Sequence, residues 1–295
     1  MDGEKRIVDA HIHVWTDDFE RYPLAPGFST EDLWWPRFTP DDHFVYSRAV
    51  GKVRINLVQM TWYGLDHSYI LDLIAGAPDT FVGTGIVPVI SDVALPSPER
   101  VMVELSQGGI YAFRVRSNVA RMPVGDLTRW LDYPGYELMF QAGAEHNLAL
   151  SFLMSYSDLP DLDRMCTKFP DTPVILDHVC GVRIKDGVLD EEGLKQVCAM
   201  AKHKRVMVKL GPLHGLSGAP APFLDLLPLL EPVIDAFGPQ RCMWESDSGG
   251  PLRMQDPLTD YPASIALIEE HADFLSASDK EYILYKTAEN FFFNR

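Results

Sequence analysis

Short apolar runs alternate with amphipathic stretches along most of the chain. The runs are 7–10, leading directly into His11-Ile12-His13, then 53–60, 81–87, 110–116, 148–154, 173–178, 205–210 and 241–246. Each has the length and Val/Ile/Leu content of a strand buried on both faces. Between them, helical periodicity is read over residues 40–51, 66–76, 97–109, 134–146, 158–169, 190–202 and 222–237, with further helices from Pro262 and Ser278. The Gly108-Gly109 pair makes a good helix stop. Eight strands alternating with helices predict a (β/α)8 barrel, an α/β fold in one domain over residues 1–295. The competitor is a doubly wound open sheet, but no G-x-G-x-x-G follows any strand. One segment breaks the alternation: residues 16–39 form a long polar loop holding Tyr22, Phe28, Trp34 and Trp35. A loop longer than about 15 residues in a compact domain is usually functional or disordered. This one is too aromatic for disorder, so it reads as a lid or pocket wall, with Trp34 and Trp35 as candidate substrate contacts.

Composition narrows the partners. A hydrophobic content of 46% is ample for a large core, and the formal net charge of -16 argues against nucleic acid or an anionic membrane. An anionic small-molecule substrate would then need cations concentrated locally. The four cysteines, Cys166, Cys180, Cys198 and Cys242, form no CxxC pair and suit buried free thiols in a reducing cytoplasm. The opening MDGEKR precedes no apolar signal core. The most apolar segment, 223–237, is interrupted by Asp225, Glu231 and Asp235, so no bilayer span is expected. The expected setting is cytoplasmic, and a homo-oligomer is compatible with all of this.

In a barrel of this kind the C-terminal strand ends face the active site. Those ends carry His11 and His13, Arg114 and Arg116, His178, Lys209 and Asp247. His11 and His13 alternate with Ile12 and so share a face about 6–7 Å apart, close enough to share a metal ion or a carbonyl oxygen. Arg114 and Arg116 share a face too and suggest an anion, although outward arginines paired with helix carboxylates would look the same. His178 follows an apolar run, and Lys209 could equally neutralise a carboxylate inside the barrel. Asp247 lies where a strand meets a Gly-rich turn, and Glu245 shares its face and competes for its role. His214, after the seventh strand, could line the pocket. His146 and His203 end helices, where a cation suits the dipole, and His67 and His271 read as surface residues.

With these residues assembled, the chain resembles the amidohydrolase superfamily, in its amidohydrolase-2 branch. The motifs are DAHIHVW (9–15), FRVR (113–116), ILDH (175–178) and WESD (244–247). Within that branch it looks most like the lactone hydrolases: 2-pyrone-4,6-dicarboxylate lactonase, sulfomuconolactone hydrolase and the sugar-acid lactonases. Metal-dependent members carry a histidine or lysine at the end of strand five, where this chain has Ser151 to Ser155, SFLMS. The branch usually continues after the strand-eight Asp with Trp-Pro, whereas Ser248-Gly249-Gly250-Pro251 follows here.

The resemblance implies a hydrolase that opens a lactone, a sugar acid or aromatic-breakdown product bearing a carboxylate. Asp247 would be the general base, with His11, His13 and His178 stabilising the oxyanion. Arg114 and Arg116 would hold the carboxylate, with Lys209, His214, Trp34 and Trp35 as further substrate contacts. The alternatives are a zinc-dependent decarboxylase and a lactone isomerase. Without a strand-five ligand, the four groups His11, His13, His178 and Asp247 would fill a tetrahedral ion and leave no open position. The expectation is therefore catalysis without a metal, with one Zn2+ on those four residues as the alternative.

Overall fold

The structure, a computed structural model, describes residues 5–88, 96–117 and 129–295. Eight strands form one sheet in sequence order, all neighbours parallel. They are β1 (Arg6–His13), β2 (Lys52–Val58), β3 (Phe81–Gly85), β4 (Ile110–Arg116), β5 (Ala149–Leu153), β6 (Val174–Leu176), β7 (Val206–Leu210) and β8 (Cys242–Trp244). Helices run between them, as the alternation predicts. A two-stranded hairpin, Ile184–Lys185 with Val188–Leu189, adds a small second sheet after β6.

The last strand returns to the first, and the seam lies where the chemistry is expected. Asp247 N donates to His11 O at 3.0 Å and His13 N donates to Ser248 O at 2.8 Å. Gly249, at φ 75°, permits this approach, because a Cβ there would sit 2.4 Å from His13 O.

Inside the barrel, Val8, Ala10, Val82, Ala112, Ala149, Ile175 and Met243 form a compact apolar layer, closed from below by Ala288 and Phe292 of the helix Thr287–Phe292. Small residues dominate because strands converging on an axis leave little room. The two-residue repeat then fixes what stands above them. Two positions beyond Ala112 is Arg114, beyond Ala149 is Ser151, beyond Ile175 is Asp177, and beyond Met243 is Glu245. β1 departs from this repeat. Its pairing with β2 shifts between Asp9 and Ile12, a bulge that places both Ala10 and His11 toward the interior. Asn56 Nδ2 donates to Ala10 O at 2.8 Å and satisfies the bulged backbone.

Two local expectations are corrected. The late helix begins at Pro257, not Pro262, because Asp256 caps it by accepting from Leu258 N and Pro257 fits the first turn. His67 is buried at 4% exposure: its Nε2 accepts from Ile86 N at 2.9 Å and its Nδ1 donates to Leu65 O at 2.9 Å, pinning the end of β3. All four cysteines are free. Among the described residues no helix is long and apolar enough to cross a membrane.

Candidate active site

The deepest polar layer is a set of charges on regular strands. Lys209 is fully buried and places Nζ 3.0 Å from Asp177 Oδ1 and 3.0 Å from His11 Nδ1. Ser151 Oγ, the hydroxyl at the position where a strand-five ligand would stand, lies 2.8 and 2.9 Å from the two Asp177 oxygens. Burial alone would raise the Asp177 pKa, but Lys209, His11 and Arg114 outweigh it and hold the carboxyl well below its usual range. Lys209, expected to touch substrate, therefore sits beneath the histidines and outside the cavity wall.

Above this layer the hydrogen bonds orient the two histidine rings of β1. His13 Nδ1 lies 3.0 Å from Val58 O, which can only accept, so His13 presents a lone pair on Nε2. Arg114 can only donate, and its Nη1 is 2.7 Å from His11 Nε2, so that nitrogen also presents a lone pair. His11 Nδ1 faces both Lys209 Nζ, a donor, at 3.0 Å and Glu245 Oε2 at 3.2 Å. Burial, reinforced by the neighbouring cations, lowers both histidine pKa values and keeps the rings neutral. The two Nε2 atoms are 3.2 Å apart, and Asp247 Oδ1 stands 3.6 Å from one and 3.5 Å from the other. Three acceptors thus converge, and Asp247 Oδ1 is buried with no hydrogen-bond partner among the described residues.

His178 arrives by another route. β6 ends at Leu176, and alternation puts Asp177 inside. His178, Val179 and Cys180 then take left-handed conformations, φ 55°, 48° and 53°, one turn that swings the imidazole back over the barrel. Its Nδ1 lies 2.6 Å from Glu245 Oε1. Burial disfavours the imidazolium, yet Glu245 and Asp247 together outweigh it and raise the His178 pKa. Glu245, weighed from sequence as a rival base, stands between the two histidines, and the His178 imidazolium outweighs burial and holds its carboxyl in the ionised form.

These groups open onto a cavity of about 240 Å³ lined by His13, Arg114, Arg116, His178 and Asp247, with Trp34 on its wall. Asp247 and Leu252 also border a second cavity of about 350 Å³, lined by Trp35 and His214 among others. The sequence-derived candidates His11, His13, Arg114, Arg116, His178 and Asp247 therefore converge. Trp34 reaches the first cavity, while Trp35 and His214 reach only the second. Arg114 spends one fork nitrogen on His11 and holds Nε 3.9 Å from Asp177 Oδ2. Arg116, half-buried beside it, has no carboxylate partner among the described residues and a buried Nε without an acceptor. Asp177 and Ser151 were not singled out from sequence; the two-residue repeat from the apolar layer would have found both.

The expectation of a metal-free site is not supported. It assumed four ligands closing one ion. The structure gathers candidate ligands in two sets of three, His11–His13–Asp247 and His11–His178–Glu245, with ligand atoms within 4.8 Å of one another in each set. Three protein ligands leave a position open, as a catalytic ion requires. The unpartnered Asp247 Oδ1 and the facing lone pairs fit such an ion, and the carbonyl and carboxylate behind the two rings are the support that ligating histidines normally have.

Comparison with known proteins gives the family and the fold. The profile of the family described as Amidohydrolase matches residues 8–293. The L-fucono-1,5-lactonase of Burkholderia ambifaria is 26% identical over 277 residues, covering 90% of this chain and 88% of that protein. A putative 2-pyrone-4,6-dicarboxylic acid hydrolase from Pseudomonas putida superposes with TM-score 0.72 at 19% identity, covering 97% of both chains. An amidohydrolase of Burkholderia multivorans with bound zinc gives TM-score 0.70 at 19% identity, covering 98% of this chain and 99% of that one.

Proposed function

The chain belongs to the amidohydrolase family, and from that premise we propose that it hydrolyses a lactone bearing a carboxylate, with Asp247 as the general base. The observation that carries this is Asp247, whose buried Oδ1 has no partner among the described residues, and which lines a cavity that also holds an imidazole and the guanidinium of Arg116, without a carboxylate partner among those residues. A relative named for a fuconolactone supports the lactone ring, and one named for a pyrone dicarboxylate supports the carboxylate.

Arg116 is the main carboxylate anchor. Among the described residues Asp177, Glu245 and Asp247 are matched by Lys209, Arg114 and the His178 imidazolium, which leaves Arg116 as the cation in excess. Its planar fork suits a carboxylate, and Arg114 offers its remaining edge to the same group. The substrate carboxylate so fixed brings the ring ester toward His178 and Asp247. Asp247 takes a proton from water as the oxygen attacks the lactone carbonyl. His178, held by Glu245, donates toward the oxyanion and then toward the departing ring oxygen. The walls formed by Trp34, Met60 and Leu153 keep bulk water from the anion.

His11, His13 and Asp247 would hold a single divalent ion if Arg114 releases His11 Nε2, and that ion would act as a Lewis acid on the carbonyl. Metal analysis of the purified protein should find such an ion, lost in His13→Ala; retention by His13→Ala would disprove this ligand set. The decarboxylase and isomerase readings share these residues, and one assay separates them. Carboxylated lactones should give ring-opened acid with proton release. Release of CO2 or formation of an isomeric lactone would replace hydrolysis as the activity.

A further inference from the structure

We propose that Gln59 reads a hydroxyl group of the substrate, so that the site selects hydroxylated lactones of the sugar-acid type over planar pyrone dicarboxylates, which carry no hydroxyl donor. This deepens the lactone reading and rests on it.

Gln59 follows β2 directly and is 2% exposed on the cavity wall. Its backbone N–H donates to Thr84 O at 2.9 Å, which ties it to the end of β3. Its side-chain Nε2 donates to Gly64 O at 3.2 Å and to Asp66 O at 2.6 Å. Both partners are carbonyl oxygens and can only accept. A flipped amide would set Oε1 against them, so the orientation is fixed. Oε1 is consequently buried with no donor among the described residues. Such acceptors are uncommon in native proteins and mark a missing partner.

The chemistry of that partner follows from the neighbours. Arg114, Arg116 and His178 bring donors into the cavity, suited to a carboxylate and a carbonyl. Gln59 brings a neutral acceptor, which a carboxylate or ring ester cannot satisfy. A hydroxyl can. A site built to hydrogen-bond a substrate hydroxyl also rejects the analogue without it, because the buried acceptor is then left unpaired. Nothing in the apolar run 53–58 signals this role; Gln59 is the single polar residue at its end.

The test compares kcat/KM for an aldaro-1,5-lactone, which keeps a free carboxylate beside its ring ester, and its singly deoxygenated analogues, with wild type and Gln59→Met. Binding of the corresponding lactams, which carry the ring but resist hydrolysis, is measured in parallel by calorimetry. Wild type should prefer the full lactone over one deoxy analogue by about 10–100-fold, the value of one buried hydrogen bond. In Gln59→Met that preference should vanish, the hydroxylated ring losing rate and the deoxy ring keeping it. An equal loss for both rings would reduce Gln59 to a brace for the 64–66 turn and overturn the proposal. So would a wild type indifferent to every hydroxyl, a result that needs no variant to fold. Lactones hydrolysed without a hydroxyl preference would sink this inference and spare the lactone reading. Lactams bound with a Gln59-dependent hydroxyl preference, but no lactone turned over, would do the reverse; neither behaviour would overturn both.

Discussion

β4, β5 and β7 bring Arg114, Ser151 and Lys209 to the barrel mouth by plain alternation, each two residues above the small apolar layer. β1, β6 and β8 bring His11, His178 and Asp247 by irregular backbone: a bulge, a left-handed turn and a residue at φ 53°. On the regular strands Ser151 and Lys209 bond Asp177 below the cavity, and Arg114 bonds His11 at its wall. On the irregular ones His178 and Asp247 line the cavity, with Asp247 Oδ1 unpaired among the described residues, and His11 stands behind them. Regular backbone suits groups that must match fixed partners across the barrel. A side chain that must face a third body is displaced from the repeat, and the backbone carries the cost, of order 1–2 kcal/mol for each left-handed non-glycine residue. Paired charges below and left-handed residues above divide the work between stability and chemistry.

The largest expected effect is on the irregular side. Asp247→Asn keeps shape and seam, so kcat should fall about 10²–10⁴-fold while the melting midpoint barely moves. Near-normal turnover would remove Asp247 as the base and blur the division. The regular side should behave oppositely. Lys209→Met leaves Asp177 buried without its ammonium and should cost about 3–5 kcal/mol in a urea titration. Adding Asp177→Leu should return part of that loss; no recovery would mean that Lys209 acts through His11 instead.

The regular half is also the half legible in sequence. Alternation along the apolar runs was enough to place Arg114, Arg116 and Lys209 on inward faces and to predict the barrel. What alternation cannot give is which charge meets which, since that depends on strands far apart in the chain. Lys209 was therefore expected in the cavity when it is spent on Asp177. His178 was identified by type, but alternation alone would have chosen Asp177 and missed the left-handed turn. Gln59 was missed because one polar residue at a strand end carries no pattern.

Smaller effects sharpen the comparison. A Cβ at Gly250 would lie 2.3 Å from Asp247 Oδ2, so Gly250→Ala must push the carboxylate aside. The same Cβ would lie 2.6 Å from Asp247 O, so the turn must shift with the carboxylate, and kcat should fall up to about 10²-fold; unchanged kinetics would show that the carboxylate position is not critical. Arg116→Lys keeps the charge and loses the fork, lowering kcat/KM by about 1.5–3 kcal/mol for carboxylated lactones and leaving neutral ones unaffected. Equal losses for both would return the anchoring role to Arg114 or make Arg116 structural.

Water attack at the lactone carbonyl is tested most directly by turnover in ¹⁸O-labelled water, followed by mass spectrometry of the ring-opened acid. Asp247-assisted hydrolysis places a single label in the new carboxylate and none in the released hydroxyl. Label in the hydroxyl would mean attack at the alkyl carbon, and an unlabelled isomeric lactone would mean that no water is added at all; either result contradicts the role given to Asp247.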